Sequence, residues 1–181
     1  MAELLITPSQ TIGPFFADGL RWKEGGVLFP EVAPGRHIRL AGAVIDGAGS
    51  MVPDSLLEFW QADAAGRFGG PRGSTCSGFG RVMTDRNGHY EIKTVMPGPV
   101  AASGSPQAPH ILVVLFARGL LKQVVSRVYF EGESANAGDP VLALCGARGA
   151  TLVARRDASG ADLFRWDVVL QGAHETVFFE V

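Results

Sequence analysis

The sequence predicts an all-β fold, a mostly antiparallel β-sandwich, and three observations support this class. About nine short apolar segments show strand-like patterns, and no helical periodicity alternates with them. The 24 glycines and 11 prolines among 181 residues punctuate the chain with turns. A hydrophobic fraction of 46% is enough for one core. We therefore expect an irregular N-terminal arm, residues 1–35, followed by one β-sandwich domain, residues 36–181.

The strand patterns begin after the arm and continue to the end of the chain. In the segment 163–170, Phe164, Trp166, Val168 and Leu170 alternate with polar residues, as expected for a half-buried strand. A short helix is predicted near Asp139, because the following proline suits a first helical turn. The predicted strands are His37–Ile45, Leu56–Gln61, Gly80–Thr84, His89–Thr94, Ile111–Ala117, Gln123–Phe130, Thr151–Arg156, Leu163–Leu170 and Thr176–Val181.

The arm contains residues that favour burial although its backbone is predicted to be irregular. Two prolines and a glycine within residues 7–16 are incompatible with a regular helix or a central strand. Phe15 and Phe16 nevertheless favour contact with an apolar surface. The residues alone leave two alternatives open: the arm covers its own domain, or it reaches a partner subunit.

Composition excludes several classes of function. A net charge of -2 gives no electrostatic footprint for nucleic acid or an acidic membrane. The longest apolar run, residues 111–117, is far shorter than the roughly 20 residues of a membrane helix. Two cysteines do not form a disulfide framework, and residues 1–10 do not resemble a signal peptide. We therefore expect a cytoplasmic protein.

Two residues, one at each end of the predicted strand 111–117, are candidates for a catalytic or binding role. His110 lies where a proline-rich segment enters the strand, a position typical of functional loops on rigid scaffolds. A single histidine is not a metal site, because a stable site needs three or four converging ligands. Arg118 follows the same strand and either presents its fork to a bound carboxylate or forms an ordinary surface ion pair.

Several segments, in the same order along nearly the whole chain, resemble the intradiol ring-cleavage dioxygenases. This resemblance implies a mostly antiparallel β-sandwich of the intradiol dioxygenase type. It also favours an arm that packs on a partner subunit. The matching segments are TPSQTIGPFF (7–16), EFWQADAAGR (58–67), GRVMTD (80–85), TVMPGP (94–99) and APHI (108–111).

The resemblance also identifies the positions at which catalytic members of the family bind iron. Those members hold a non-haem Fe(III) with two tyrosines and two histidines. The tyrosine positions are occupied here by Phe68 and Val100, and the histidine positions by His110 and Leu112. Phenylalanine lacks the phenolate, and valine and leucine offer no donor atom. We therefore expect no metal on this chain, because one imidazole does not hold Fe(III) against water.

A family member with this loss is expected to act beside another chain. The resemblance implies a non-iron-binding alpha-type subunit whose beta-type partner subunit binds Fe(III). It implies substrate-pocket or interface roles for Thr11, Gly13, Pro14, Phe15 and Arg118. The implied reaction inserts O2 between the hydroxyl-bearing carbons of a small aromatic acid, 3,4-dihydroxybenzoate, and gives 3-carboxy-cis,cis-muconate.

Two rival interpretations come from other classes. The first is a non-enzymatic β-sandwich binding or scaffold module that kept only the dioxygenase fold, since a fold alone does not fix a function. The second is an autonomous dioxygenase, which conflicts with Phe68, Val100 and Leu112 together.

Overall fold

The chain is mostly β-sheet with a few short helical segments. The computed structural model describes residues 10–11, 13, 15–69, 78–102, 105–160 and 162–180, with backbone alone at 16–17. These ranges contain the α-helices α1 Phe15–Leu20 and α2 Pro140–Cys145, and the 3-10 segments Ser134–Gly138 and Gly146–Leu152. The strands are β1 His37–Ile45, β2 Leu56–Gln61, β3 Phe79–Met83, β4 His89–Val95, β5 His110–Phe116, β6 Val124–Phe130, β7 Val153–Arg156, β8 Leu163–Arg165 and β9 Val168–Val169.

The strands form one mixed sheet in the order β3-β2-β5-β6-β7-β8-β1-β4, with β9 also pairing to β1. Five pairs are antiparallel, but β6–β7, β1–β8 and β1–β9 are parallel. The all-β class is confirmed, whereas the antiparallel sandwich is not: the strands form one mixed, nearly closed barrel-like sheet. Alternation along a strand does not reveal the direction of its neighbour. The long helical connection 131–152 allows the parallel pairing of β6 with β7.

The two edge strands, β3 and β4, are bridged by a segment that precedes β1. Arg81 N–H of β3 donates to Gly25 O at 2.8 Å, and Lys93 N–H of β4 donates to Gly26 O at 2.7 Å. Leu28 N–H donates back to Lys93 O at 2.9 Å. The segment therefore satisfies backbone groups on both edges and nearly closes the sheet.

This closing segment belongs to the range that the sequence assigned to the arm. Leu28 and Phe29 are buried in the core of the domain itself. Packing of the arm on a partner subunit stays a prediction; of the arm residues before the closing segment, the structure describes 10–11, 13 and 15–22. Helix α1 lies within this stretch and was not expected, because the prolines and the glycine of residues 7–16 favour an irregular backbone. The helix begins at Phe15, directly after the last proline of the segment.

The core lies inside the curled sheet and is built by alternate residues of the strands. In β5, Ile111, Val113 and Leu115 are buried while the residues between them are half-buried. The period of two expected for strands is therefore present even in this continuous apolar run. The largest fully buried side chains are Leu28, Leu40, Leu56, Leu57, Phe59, Ile92, Ile111, Leu115, Tyr129, Phe130, Leu152 and Phe164.

The predicted strand 163–170 is interrupted between β8 and β9. A Cβ on Gly42 of β1 would lie 1.8 Å from the carbonyl oxygen of Trp166, so only glycine permits this close approach. Ala43 N–H donates to Asp167 Oδ1 at 2.8 Å, and Tyr90 Oη donates to Trp166 O at 2.7 Å. Side chains therefore replace ladder hydrogen bonds at the break.

The last predicted strand, 176–181, is not a regular strand within the described residues. Val125 forms an isolated antiparallel bridge with Phe179, and Phe179 N–H donates to Val125 O at 2.8 Å. Thr176 serves instead as a side-chain acceptor, because its Oγ1 accepts Val169 N–H at 2.9 Å. None of the helices in the described ranges has the length and apolar character that crossing a bilayer requires.

Helix α2 confirms the short helix predicted near Asp139, and a buried carboxylate fixes its position. Asp139 is fully buried, and its Oδ1 accepts the N–H groups of Val141 and Leu142 at 2.9 Å each. Oδ1 also accepts Tyr129 Oη at 3.1 Å, and Oδ2 accepts Ala108 N–H at 2.8 Å. One side chain therefore ties the helix to β6 and to the entrance of β5.

Replacing Asp139 tests this role. We expect Asp139→Ala to lower the free energy of unfolding by about 3 kcal/mol, because two buried and two part-buried donors lose a charged acceptor. The measurement is urea unfolding followed by circular dichroism. Asp46→Ala is the matched control, because Asp46 accepts two backbone N–H groups in an exposed turn. Equal losses for the two variants would contradict the assigned role.

The closing segment gives a second test. A Cβ on Gly25 would lie 2.1 Å from Arg81 O, so Gly25→Ala forces the segment away from β3. We expect a loss of about 1–3 kcal/mol, measured as a melting temperature lower by several degrees. Gly19→Ala on α1 is the control, because its Cβ meets no atom within 4 Å. A Gly25→Ala protein as stable as the control would refute a sterically required glycine.

Candidate functional site

The structure brings part of the predicted pocket set together where the arm meets the end of β5. Gly119, at the turn after the strand, donates its N–H to Thr11 Oγ1 at 3.3 Å across 108 residues of sequence. Gly13 N–H donates to the same oxygen at 3.3 Å. Both distances are long for hydrogen bonds, so each contributes weakly. The Thr11 hydroxyl nevertheless places Thr11 and Gly13 beside the residue that follows Arg118.

Arg118 forms a surface ion pair within the chain. Its Nη2 lies 3.0 Å from Asp54 Oδ2, and the two side chains are 53% and 45% exposed. Asp54 adopts a left-handed backbone with φ of 64°, a conformation in which Asp is one of the more tolerated residues. An exposed pair of this kind contributes about 0–1 kcal/mol. The Arg118 guanidinium can therefore leave Asp54 and pair with another carboxylate at a small cost in free energy.

The remaining members of the pocket set are less constrained. Phe15, the first residue of α1, is 78% exposed, so its ring has little cover within the described chain. Pro14 lies outside the described residues. A small cavity of about 180 Å³ lies near the junction, lined by Gln10 and by residues 116–117 and 120–123.

The four positions at which relatives would bind iron surround one face of β2, β5 and β6. The Phe68 ring stacks on Trp60 at 6.1 Å with an interplanar angle of 7°. Trp60 pairs across the ladder with Leu112, and Leu112 pairs with Arg127. Val100 forms a two-hydrogen-bond bridge with Gln107, whose Oε1 accepts from Arg127 Nη1 at 3.1 Å. The sequence-predicted positions are thus connected through side chains that sequence reasoning did not select.

A hydrogen bond to the backbone orients the His110 imidazole, as is usual for histidines that bind metals. Its side chain is buried, and Nδ1 lies 2.7 Å from Ala108 O. Because a carbonyl only accepts, Nδ1 carries the proton and donates, which leaves Nε2 with a free lone pair. Burial lowers the pKa of the imidazole, so it is neutral at physiological pH. Its ring lies 5.7 Å from that of Tyr129.

The groups around His110 do not complete a ferric site. Burial raises the pKa of Tyr129 to about 12, so its phenol stays protonated and donates to Asp139. Both Asp139 oxygens are engaged by the donors described above. In the described ranges, no three His, Cys, Asp or Glu side chains converge as a metal site would require. The described residues around His110 therefore do not fit Fe(III).

The hydrogen-bond network of Arg127, Tyr129 and Asp139 was missed by sequence reasoning. Tyr129 fits a strand alternation, and Arg127 lies in the same strand without a motif. The one available signal was Asp139, an acid directly before Pro140 at a predicted helix start, which marks an N-cap.

Comparison with known proteins agrees with the fold. A family model described as Dioxygenase matches residues 12–172. The protocatechuate 3,4-dioxygenase alpha chain of Burkholderia cepacia is 45% identical over a 200-position alignment that covers 100% of both chains. The corresponding alpha chain of Pseudomonas putida is 42% identical, with 96% of each chain covered.

More distant relatives extend the comparison. The protocatechuate 3,4-dioxygenase beta chain of Burkholderia cepacia is 35% identical, covering 60% of this chain and 50% of that one. The dioxygenase domain of a carbohydrate-binding fusion protein from Streptomyces sp. SirexAA-E superposes with a TM-score of 0.63 at 26% identity, covering 92% of this chain and 99% of that one. The chain therefore belongs to the intradiol ring-cleavage dioxygenase family, on the side of the protocatechuate 3,4-dioxygenase alpha chains.

Proposed function

We propose that this chain is the non-iron-binding alpha subunit of a hetero-oligomeric protocatechuate 3,4-dioxygenase and completes an active site whose Fe(III) is bound by a beta subunit. The reaction is cleavage of 3,4-dihydroxybenzoate with O2 to 3-carboxy-cis,cis-muconate. The observation that carries the proposal is an intact family fold in which Phe68, Val100 and Leu112 offer only carbon atoms at ligand positions.

The loss of the ligands is matched by packing that uses the replacement side chains. Phe68 is held by Trp60, and Val100 is held by the bridge to Gln107. His110 retains its hydrogen bond to Ala108 but lacks companions with free donor atoms. These contacts support a stable chain without metal, whose contribution to catalysis is made at a surface.

That surface lies where the arm, at Thr11 and Gly13, meets the end of β5. The Arg118 guanidinium can leave Asp54 and bind an anionic carboxylate, either of the substrate or of the partner, with a charge-assisted pair. Phe15, exposed in the single chain, gains roughly 1.5–3 kcal/mol if it becomes fully buried against a partner. Thr11 and Gly13 would then form a rigid wall that excludes water from the pocket.

A cytoplasmic location is part of the proposal. Cys145 is a free thiol, which is compatible with a reducing compartment. The net charge of -2 and the small aromatic substrate also give no reason to expect a nucleic-acid or membrane partner.

Metal content tests the proposal that the beta chain binds the iron and that this chain does not. We expect the full chain expressed alone to be colourless and iron-free, because none of the residues that the structure describes offers a deprotonated tyrosine to Fe(III). Co-expression with a beta chain that has both tyrosines and both histidines should give a coloured complex with iron and activity. Metal analysis, visible absorption and oxygen uptake are the readouts. Stoichiometric iron in the isolated chain would refute the proposal, and an inactive, unassociated pair would favour the scaffold interpretation.

The role of Arg118 is tested in the iron-loaded complex. We expect Arg118→Ala to lower kcat/KM for 3,4-dihydroxybenzoate by roughly tenfold to a hundredfold without loss of iron, because a charge-assisted hydrogen bond contributes about 1.5–3 kcal/mol. Steady-state oxygen uptake and metal analysis measure the two effects.

Two further variants control this experiment. Arg39→Ala removes another exposed arginine, paired with Glu91 at 3.4 Å, and should leave kcat/KM unchanged. Asp54→Asn removes the ion pair but keeps the guanidinium and tolerates the left-handed backbone, so activity should be retained. If Arg118→Ala and the Arg39→Ala control have the same kinetics, Arg118 does not belong to the pocket.

A further inference from the structure

The arm contains a helix that is too short to be stable by itself. Helix α1 has six residues, whereas isolated helices shorter than about 12–15 residues are marginal in water. Its side chains Phe15 and Leu20 are exposed, and a Cβ on Gly19 would meet no atom of the described chain within 4 Å. The orientation of residues 10–20 therefore depends on what holds the two ends of this stretch.

The end nearer the N-terminus is held weakly. Its contact with the sheet is the hydrogen bond from Gly119 N–H to Thr11 Oγ1, at 3.3 Å between exposed groups. A single long hydrogen bond restrains one distance but does not fix the direction in which the helix runs. The other end must therefore supply most of the orientation.

That other end is held on β3 by an aromatic ring and a guanidinium. The Trp22 ring stacks on Phe79, with 6.1 Å between the ring centroids and 23° between the planes. Arg81 lies two residues further along β3, on the same face as Phe79, and its Cζ is 5.8 Å from the centroid of the Phe79 ring. Its Nη1 donates to Leu20 O at 3.4 Å, a long contact. We call Trp22, Phe79 and Arg81 the arm tether.

The sheet fixes the β3 side of the arm tether. Arg81 Nε and Nη2 both donate to Glu58 Oε1 of β2, at 2.8 and 2.6 Å, and the two side chains are half-buried. The Phe79 ring lies 6.2 Å from that of Trp60, also on β2. A charge-assisted pair and a packed ring hold these side chains in place. The arm therefore docks on a rigid surface rather than on mobile side chains.

The turn after Trp22 joins the arm tether to the closing segment. Gly25 N–H donates to Trp22 O at 3.2 Å, and Gly25 O accepts Arg81 N–H at 2.8 Å. A Cβ on Gly25 would lie 3.1 Å from Trp22 Cε3, so the indole lies directly against this backbone. The position of the indole is therefore set by both the turn and the sheet.

We propose that Trp22, through its stack on Phe79 and with support from Arg81, is a positioning residue that sets the orientation of the arm. It does not touch substrate; it acts by presenting residues 10–15 to the active site shared with the partner. A preorganised arm loses less conformational freedom when the complex forms and the substrate binds. This inference rests on the function proposed above, because the orientation of the arm affects catalysis only if the arm acts at the shared site.

Limited trypsin digestion of the isolated full chain tests the arm tether separately from that function. Arg21 and Lys23 flank Trp22 and are exposed, so cleavage after them reports release of the arm. We expect Trp22→Ala and Phe79→Ala each to accelerate this cleavage roughly tenfold, because cleavage follows the population of the released arm and an aromatic pair shifts that population. Mass spectrometry identifies the cleaved bond, and thermal melting shows whether the sheet stays folded.

Two variants control the digestion. Trp22→Phe keeps a ring that can stack on Phe79 and should be cleaved as slowly as the wild type. Leu144→Ala removes an exposed apolar side chain from α2, far from the arm in sequence, and should also leave the cleavage unchanged. If Trp22→Ala and Phe79→Ala are cleaved at the wild-type rate, the inference is wrong, whatever the partner does.

The iron-loaded complex with a beta chain tests the effect on the reaction. We expect Trp22→Ala to raise KM for 3,4-dihydroxybenzoate roughly tenfold, with a smaller change in kcat and no loss of iron, whereas Trp22→Phe should keep the wild-type KM. Oxygen uptake and metal analysis are the readouts. An unchanged KM in a variant whose arm is released would overturn the positioning role. A wild-type complex without iron or activity would refute the proposed function and the positioning role with it, while the digestion decides separately whether the tether holds the arm.

Discussion

The buried carboxylate of Asp139 is the interaction on which the arrangement of this face depends. It accepts from the first turn of α2, from Tyr129 of β6 and from Ala108 before β5. Ala108 in turn accepts from His110, so the cap also orients the imidazole at the start of β5. Burial of a charge at this depth is tolerated because its hydrogen bonds are satisfied within the protein.

Around this anchor, packing contacts occupy the positions that the family resemblance assigns to iron ligands. In the family, four donor atoms would hold the loops together through iron. Here an aromatic stack at Phe68, a backbone bridge at Val100 and the half-buried Leu112 occupy those positions. Such contacts stabilise the fold without providing donor atoms, and the proposed contribution of this chain to catalysis is therefore made at the surface near Thr11 and Arg118.

The all-β class and most strands could be predicted because alternation and turn residues are local properties. The mixed strand directions could not, since β6–β7 and β1–β8 pair residues that lie far apart in the sequence. The replaced iron-ligand positions stay a prediction from the family motifs. The contact of Thr11 with Gly119 joins distant segments and has no local signal. Arg127 lies in an ordinary strand pattern, so its hydrogen bond to Gln107 has no local signal either.

The most direct measurement of the central claim is an iron anomalous-difference map of the crystallised complex of this chain with its beta partner. We predict one iron peak per pair of chains, ligated entirely by the partner, with Thr11 and Arg118 of this chain lining the pocket beside it. An iron peak at Nε2 of His110, or a partner iron with this arm and Arg118 remote from its pocket, would contradict the account.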